Sequence, residues 1–181
     1  MIDTKGMTTR QVLEIAKNYA DTNKINDIVV ATTKGDTGML ASEIFGRKYN
    51  VVIVTHITGF RENNIQELEE DKKSKILKNG AKVFTGTMVF HNLNDHIKAK
   101  GYYTLHNIIA DTLRLFGQGT KVVAEIVMMA TDAGLILADK DVIGIAGTGR
   151  GADTVILVKS ANSRRMFDLK FKEIIAKPKD F

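Results

Sequence analysis

The sequence predicts an α/β protein, specifically a three-layer α/β/α sandwich around a mostly parallel five-stranded sheet. Short apolar runs without polar alternation, typical of strands covered on both faces, alternate with segments of helical periodicity. The last two runs, in 141–147 and 153–159, are only a few residues apart, which is too short for a parallel crossover. We therefore expect an antiparallel fifth strand, and an alternating stretch near the carboxyl end predicts one extra strand.

Helices and strands alternate along the first half of the chain. Thr8 followed by Gln11 has the form of a capping box, and it opens a segment whose apolar residues share one helical face. The stretch from Asn63 to Asn79 carries acidic residues first and lysines last, which suits a helix dipole, and Gly80 follows as a stop signal. The predicted elements are a helix in 8–20, a strand in 27–31, a helix through 40–45, a strand in 50–55, a helix in 63–79 and a strand in 81–85.

In the second half of the chain, the sequence predicts an irregular stretch in 88–103, then two helices and then the remaining strands. The segment from Gln118 is apolar nearly all round, so its helix should be buried on more than one side. Phe167, Leu169 and Phe171 alternate with charged residues, as in a half-exposed edge strand. The predicted elements are a helix in 105–116, a helix from 118 onward, strands in 141–147 and 153–159, and the edge strand near 167–172.

Length and composition predict a single domain over residues 1–181. The absence of cysteine excludes disulfides and thiolate metal sites, and we expect a cytoplasmic protein. No secretory pattern opens the chain, and no apolar run approaches the roughly 18 residues of a membrane span, so we expect no membrane contact.

The charge pattern argues against nucleic acid as a partner. The net charge is +5, and the basic residues of the last quarter favour a solvated face over a nucleic-acid site. The histidines and carboxylates lack metal-ligand spacing, so we expect no metal. The exposed edge strand hints at a homo-oligomer.

The stretch "TTKGDTG", residues 32–38, follows a predicted strand and opens a predicted helix. Backbone N–H groups and the helix dipole make such a loop an anion site, with hydroxyl donors and a lysine to assist. The alternative is ordinary helix capping. The candidate phosphate-binding residues are Thr32, Thr33, Lys34, Gly35, Asp36 and Thr37.

A second glycine-rich loop, "GTGRGAD" in 147–153, favours the anion-binding interpretation. Its glycines allow close backbone approach, and arginine is well shaped to clamp a phosphate with two hydrogen bonds. The alternative is a plain connection between strands. The candidate residues are Gly147, Thr148, Gly149, Arg150 and Gly151.

Two further loops supply weaker candidates. "THITGF" can bring His56, Gly59 and Phe60 to the same rim, although no acidic partner of His56 is visible at motif spacing. "LFGQGT" is either a helix-to-helix turn or another N–H donor site. Its candidates are Phe116, Gly117 and Gln118.

These motifs, in this order, resemble the carboxyl-terminal domain of pyruvate kinase over most of residues 8–160. "VTHITGF", "DTLRLFGQG", "GTGRGADT" and "ANSRRMFDLKFKEIIAKP" are similar to stand-alone archaeal and bacterial proteins of that fold, a group similar to flavin mononucleotide (FMN) binders. The resemblance implies that Thr32, Thr33, Lys34, Gly35 and Thr37 hold a phosphate, as the matching loop holds a phosphate of the allosteric effector in some pyruvate kinases, and that Gly147 to Gly151 close over it. Asp36 departs from the kinase pattern, and without the catalytic barrel no pyruvate kinase activity is expected.

The resemblance implies FMN as the cofactor, with Phe60 and Phe116 as a flat surface and Gln118 and Thr148 at the ring edges. A first alternative is a non-catalytic sensor or regulatory module for a sugar phosphate or a nucleotide. A weaker one is a hydrolase or isomerase of a phosphorylated substrate that uses His56. The sequence assigns no catalytic residue.

Overall fold

The computed structural model describes residues 1–181 as a seven-stranded sheet with helices on both faces. The strands are β1 (Ile2–Asp3), β2 (Asp27–Ala31), β3 (Asn50–Val54), β4 (Lys82–Phe84), β5 (Asp141–Ala146), β6 (Thr154–Lys159) and β7 (Lys170–Lys177). The helices are α1 (Thr9–Asn23), α2 (Asp36–Phe45), α3 (Glu70–Lys78), α4 (Leu93–Ala99), α5 (Leu105–Arg114) and α6 (Gln118–Asp132), with 3₁₀ turns at Gly46–Lys48 and Ser163–Asp168. No helix combines the length and apolarity needed to cross a bilayer.

The sheet order is β1-β7-β6-β5-β2-β3-β4. Strands β5, β2, β3 and β4 run parallel, β6 pairs antiparallel with β5, and β7 pairs antiparallel with β6. The predicted mostly parallel sheet with an antiparallel fifth strand, here β6, is therefore confirmed. The structure adds a short strand, β1, which pairs parallel with the end of β7.

Two apolar cores on opposite faces of the sheet explain its uninterrupted apolar strands. In β2, Ile28 and Val30 pack with α1 and α2, whereas Val29 packs with α6. Both faces of the strand are covered at these three positions, so none of them tolerates a polar side chain. Helix α6 is buried nearly all round because α5 covers its other side, where Ala124 and Met128 pack.

Helix α3 begins at Glu70, so the predicted helix from Asn63 is wrong in its first part. Asn64 has a positive φ of 66°, which does not fit a right-handed helix. Gln66 instead bonds locally: its Oε1 accepts from the Leu68 N–H at 2.9 Å, and its Nε2 donates to the His56 carbonyl at 3.1 Å. Residues 59–69 thus form a loop beside the end of β3.

The carboxyl-terminal strand also differs from its prediction. It spans Lys170–Lys177, whereas Phe167 lies in a 3₁₀ turn and is 79% exposed. Because β1 pairs with Ala176 and Lys177, β7 is not the last strand of the sheet. The stretch 88–103, which showed no pattern, contains the short helix α4.

Asp21 joins the end of α1 to the turn after α2, and its pairing predicts a pH dependence of stability. It accepts hydrogen bonds from Lys48 and, at 2.7 Å, from the Tyr49 hydroxyl, and these bonds, Lys48 first, lower its pKa from 3.8 to about 2. A lowered pKa stabilises the fold above pH 3.8, and this contribution is lost as the pH falls towards about 2. Asp21→Asn should therefore be less stable than the wild type near neutral pH, with a difference that shrinks in that acidic window. Urea midpoints measured across pH check this, and a difference that stays constant would contradict it.

Candidate functional site

A cavity of about 690 Å³ opens at the carboxyl ends of β2, β3 and β5. Strand β2 lies between β5 and β3, so the chain reverses its direction of progress through the sheet at this point. Loops that leave neighbouring strands in opposite directions part here and leave a crevice, which is where open α/β sheets bind ligands.

The structure brings most of the predicted site residues to this one cavity. Those that line it are Thr32, Thr33, Lys34, Asp36, Thr37, His56, Phe60, Gln118, Gly147, Gly149, Arg150 and Gly151. Those outside its wall are Gly35, Gly59, Phe116, Gly117 and Thr148. The two glycine-bearing loops, in which Lys34 and Arg150 lie 116 positions apart in the chain, therefore face the same space.

The loop after β2 presents a row of unused backbone donors. The N–H groups of residues 33–37 bond to no acceptor within the chain, while Thr32 Oγ1 accepts from the Gly38 N–H at 3.2 Å and fixes the loop on the helix. Gly35 caps α2 with a φ of 104°, and a Cβ there would lie 2.8 Å from Leu68 and Lys72 side-chain atoms. Gly35 therefore shapes the loop from behind, outside the cavity wall.

Asp36 does not cancel the positive charge of this loop. Its carboxylate lies 2.6 Å from Lys72 Nζ, which also lies 3.0 Å from Glu69. The Lys72 hydrogen bond is the main cause of a lowered Asp36 pKa, and the nearby charges of Arg150 and Lys34 add to it. Because Lys72 already pairs with Asp36, Lys34 and Arg150 stay available to an anion.

The loop after β5 is anchored at both ends and open at its glycines. Asp153 accepts from the Thr148 N–H at 2.9 Å, and the Ala152 N–H donates to Thr9 Oγ1 at 3.2 Å. A Cβ on Gly147 would lie 2.3 Å from the Gly151 carbonyl oxygen, so only glycine fits this fold of the loop. Thr148 is exposed and lies outside the cavity wall.

The start of α6 contributes Gln118 but not its neighbours. Gln118 Oε1 accepts from Arg114 Nε at 2.7 Å, which holds the side chain at the cavity. Phe116 is 54% exposed, and Gly117 packs near Phe181. Of the two aromatic rings predicted as a flat surface, only Phe60 lines the cavity.

His56 has an acidic partner that the sequence did not reveal. Its Nδ1 lies 2.7 Å from Glu67 Oε2, and Arg61 Nε lies 3.1 Å from Glu67 Oε1. The ring also packs on Phe60, with centroids 4.2 Å apart. The sequence predicts a helix over Glu67, whereas the structure places Glu67 in the loop after β3, where its carboxylate meets His56.

A second acid–histidine cluster, also missed, lies behind the cavity on α6. Lys121 Nζ lies 2.5 Å from Glu125 Oε2, and these side chains are 0% and 2% exposed. Glu125 Oε1 accepts from the Phe90 N–H at 2.7 Å and lies 3.1 Å from His91 Nδ1. His91 and Glu125 line the cavity, whereas Lys121 lies behind them.

Burial and pairing act on this cluster in opposite directions. Burial lowers the pKa of Lys121 and outweighs the attraction of Glu125. Burial alone would raise the pKa of Glu125, but the His91 hydrogen bond and the Lys121 charge outweigh it, so that pKa is lowered. Glu125 is therefore held as a carboxylate.

One face of α6 forms the apolar wall of the cavity with Val122, Ile126 and Met129. Together with Gln118 and Glu125 these residues recur at helical spacing. That spacing was visible in the sequence, but the strongly apolar helix hid which face meets the cavity.

The fold and the cavity define an α/β protein whose loops gather at the switch point of a mostly parallel sheet. The family described as "Pyruvate kinase, alpha/beta domain" matches residues 10–158, so the chain belongs to that family. A crystal structure of a pyruvate kinase from Cryptosporidium parvum is similar at 15% identity and a TM-score of 0.45, covering 85% of this chain and 23% of that one. The chain thus spans about a quarter of the length of that pyruvate kinase.

Proposed function

We propose that the protein binds a phosphorylated small molecule in this cavity, and that the molecule is FMN. The observation that carries the proposal is the row of unpartnered N–H groups at residues 33–37, which opens α2 beside Lys34 and Arg150. Backbone donors at a helix start, with cations beside them, suit a phosphate.

The rest of the cavity suits a ring system. Its volume of about 690 Å³ lies within the range of small-molecule sites. Phe60 and the apolar face of α6 offer flat contact, and Gln118 and His91 offer polar groups at the edges. Bound FMN would supply reversible electron transfer, which the side chains of this chain lack.

Binding of FMN and of riboflavin, which lacks the phosphate, tests the proposal. We expect FMN to bind at least about tenfold more tightly, because riboflavin leaves the charge-assisted hydrogen bonds of the loop unmade. Quenching of flavin fluorescence measures both affinities. Equal affinities, or no binding of FMN, would contradict the proposal.

A thermal-shift comparison separates FMN from the second candidate, a non-catalytic sensor of a sugar phosphate or a nucleotide. The same anion loops would hold either ligand. A ligand at a hundred times its Kd stabilises the folded state by about 2.7 kcal/mol, which gives a measurable rise in Tm. A sugar phosphate or nucleotide that raises the Tm more than FMN does would favour the sensor.

A further inference from the structure

Two histidines of the cavity wall are each held by a glutamate, and phosphate binding uses neither. We propose that the inner end of the cavity is an acid–base centre, in which His56 and His91 move protons on the bound ligand at atoms remote from its phosphate. The inference rests on the proposed function in one respect, since a phosphorylated ligand must be anchored at residues 33–37. The substrate class is a phosphorylated compound that takes the place of FMN in this cavity and has an ionisable C–H, N–H or O–H group at its other end; FMN serves below as the probe that occupies that place.

His56 has the arrangement of a general base. The Glu67 carboxylate can only accept, so His56 Nδ1, at 2.7 Å, carries the proton. In the neutral ring, Nε2 then keeps its lone pair, and it makes no hydrogen bond within the chain. Arg61 holds the second oxygen of Glu67 at 3.1 Å, so the carboxylate that orients the ring is itself fixed.

His91 has a comparable support from a different part of the chain. Its Nδ1 lies 3.1 Å from Glu125 Oε1 and 3.1 Å from Lys121 Nζ, and Lys121 also pairs with the other oxygen of that carboxylate. The His91 side chain is 18% exposed and lines the cavity, while the groups behind it are buried. The network fixes the ring and leaves it at the cavity surface.

Phe60 places the two imidazoles on one stretch of wall. Its ring centroid lies 4.2 Å from that of His56 and 5.9 Å from that of His91. In the proposed step, His56 Nε2 takes a proton from one ligand atom, and the bonding pair stays within the ligand. A second ligand atom takes the Nε2 proton of His91 in its imidazolium form, whose Nδ1–H stays on Glu125. The ligand is thus isomerised without a change in oxidation state, and proton exchange with solvent returns both histidines to their starting forms.

Acylation of histidine by diethyl pyrocarbonate, followed by peptide mass spectrometry, tests this in the ligand-free protein. His96 and His106 are exposed and lie outside the cavity wall, so they are internal standards. We expect His56, although only 26% exposed, to react at least as fast as either standard. Glu67→Gln should slow His56 by about tenfold, the ratio that one charge-assisted hydrogen bond supplies, and leave both standards unchanged.

The same reaction with ligand present places both histidines relative to the phosphate loop. FMN should protect His56 and His91, and inorganic phosphate should protect neither, because it occupies only the loop. If FMN does not bind, the proposed function fails, while the ligand-free rates still decide the present inference. Two results would overturn the inference. One is a wild-type His56 that reacts more slowly than both standards. The other is bound FMN that leaves His56 and His91 as reactive as they are in the ligand-free protein.

Discussion

Replacing Glu125 by alanine is expected to lower the free energy of unfolding by about 3–5 kcal/mol. The change leaves the Lys121 ammonium group buried without its carboxylate, since the side chain of Lys121 is 0% exposed. It also removes the acceptor of the buried Phe90 N–H. An unpaired buried charge costs far more than an exposed one, because water no longer screens it.

Urea unfolding of three variants separates this cause from simple loss of a contact. Asp180→Ala breaks the ion pair with Lys5, whose side chains are 67% and 78% exposed, and should change the stability by less than about 1 kcal/mol. The double variant Lys121→Met with Glu125→Leu removes both charges and should recover much of the loss. A double variant as unstable as Glu125→Ala would show that the buried charge is not the cause.

The sheet could be predicted from the sequence because its strands obey a local rule. Ile28, Val29 and Val30 are all apolar since the two faces of β2 meet different cores. β1 could not be found in this way, because two residues carry no periodicity and its partner lies at the far end of the chain. The predicted start of a helix at Asn63 is wrong. The order of acidic and basic residues favours a helix there, but the positive φ of Asn64 and the hydrogen bond of Gln66 belong to a loop.

The candidate site was also predictable only where its features are local in the sequence. Its loops could be predicted from the glycines and hydroxyl side chains that follow strands, which are local features. The carboxylates that hold its histidines are not local features. Glu125 lies 34 positions from His91 in the chain, and Glu67 contacts His56 only because the intervening loop turns back. Contacts of this kind depend on the folded chain, so residue types and spacing do not reveal them.

Replacing Arg150 by methionine is expected to weaken FMN binding by about 10- to 100-fold, the range that a lost charge-assisted hydrogen bond supplies. Arg150 is exposed and lines the cavity, so its removal should leave the fold intact. Arg150→Lys keeps the charge but not the bidentate donor, so its affinity for FMN should fall between those of Arg150→Met and the wild type. Flavin fluorescence titration measures all three.

Riboflavin shows where Arg150 acts. Because riboflavin has no phosphate, its affinity should hardly change in Arg150→Met, whereas that of FMN falls. Arg164→Met, an exposed change in the 3₁₀ turn before β7, is the matched control and should alter neither affinity. If Arg150→Met weakened FMN and riboflavin equally, the guanidinium would contact the ring, and the phosphate would have to lie elsewhere than between the two loops.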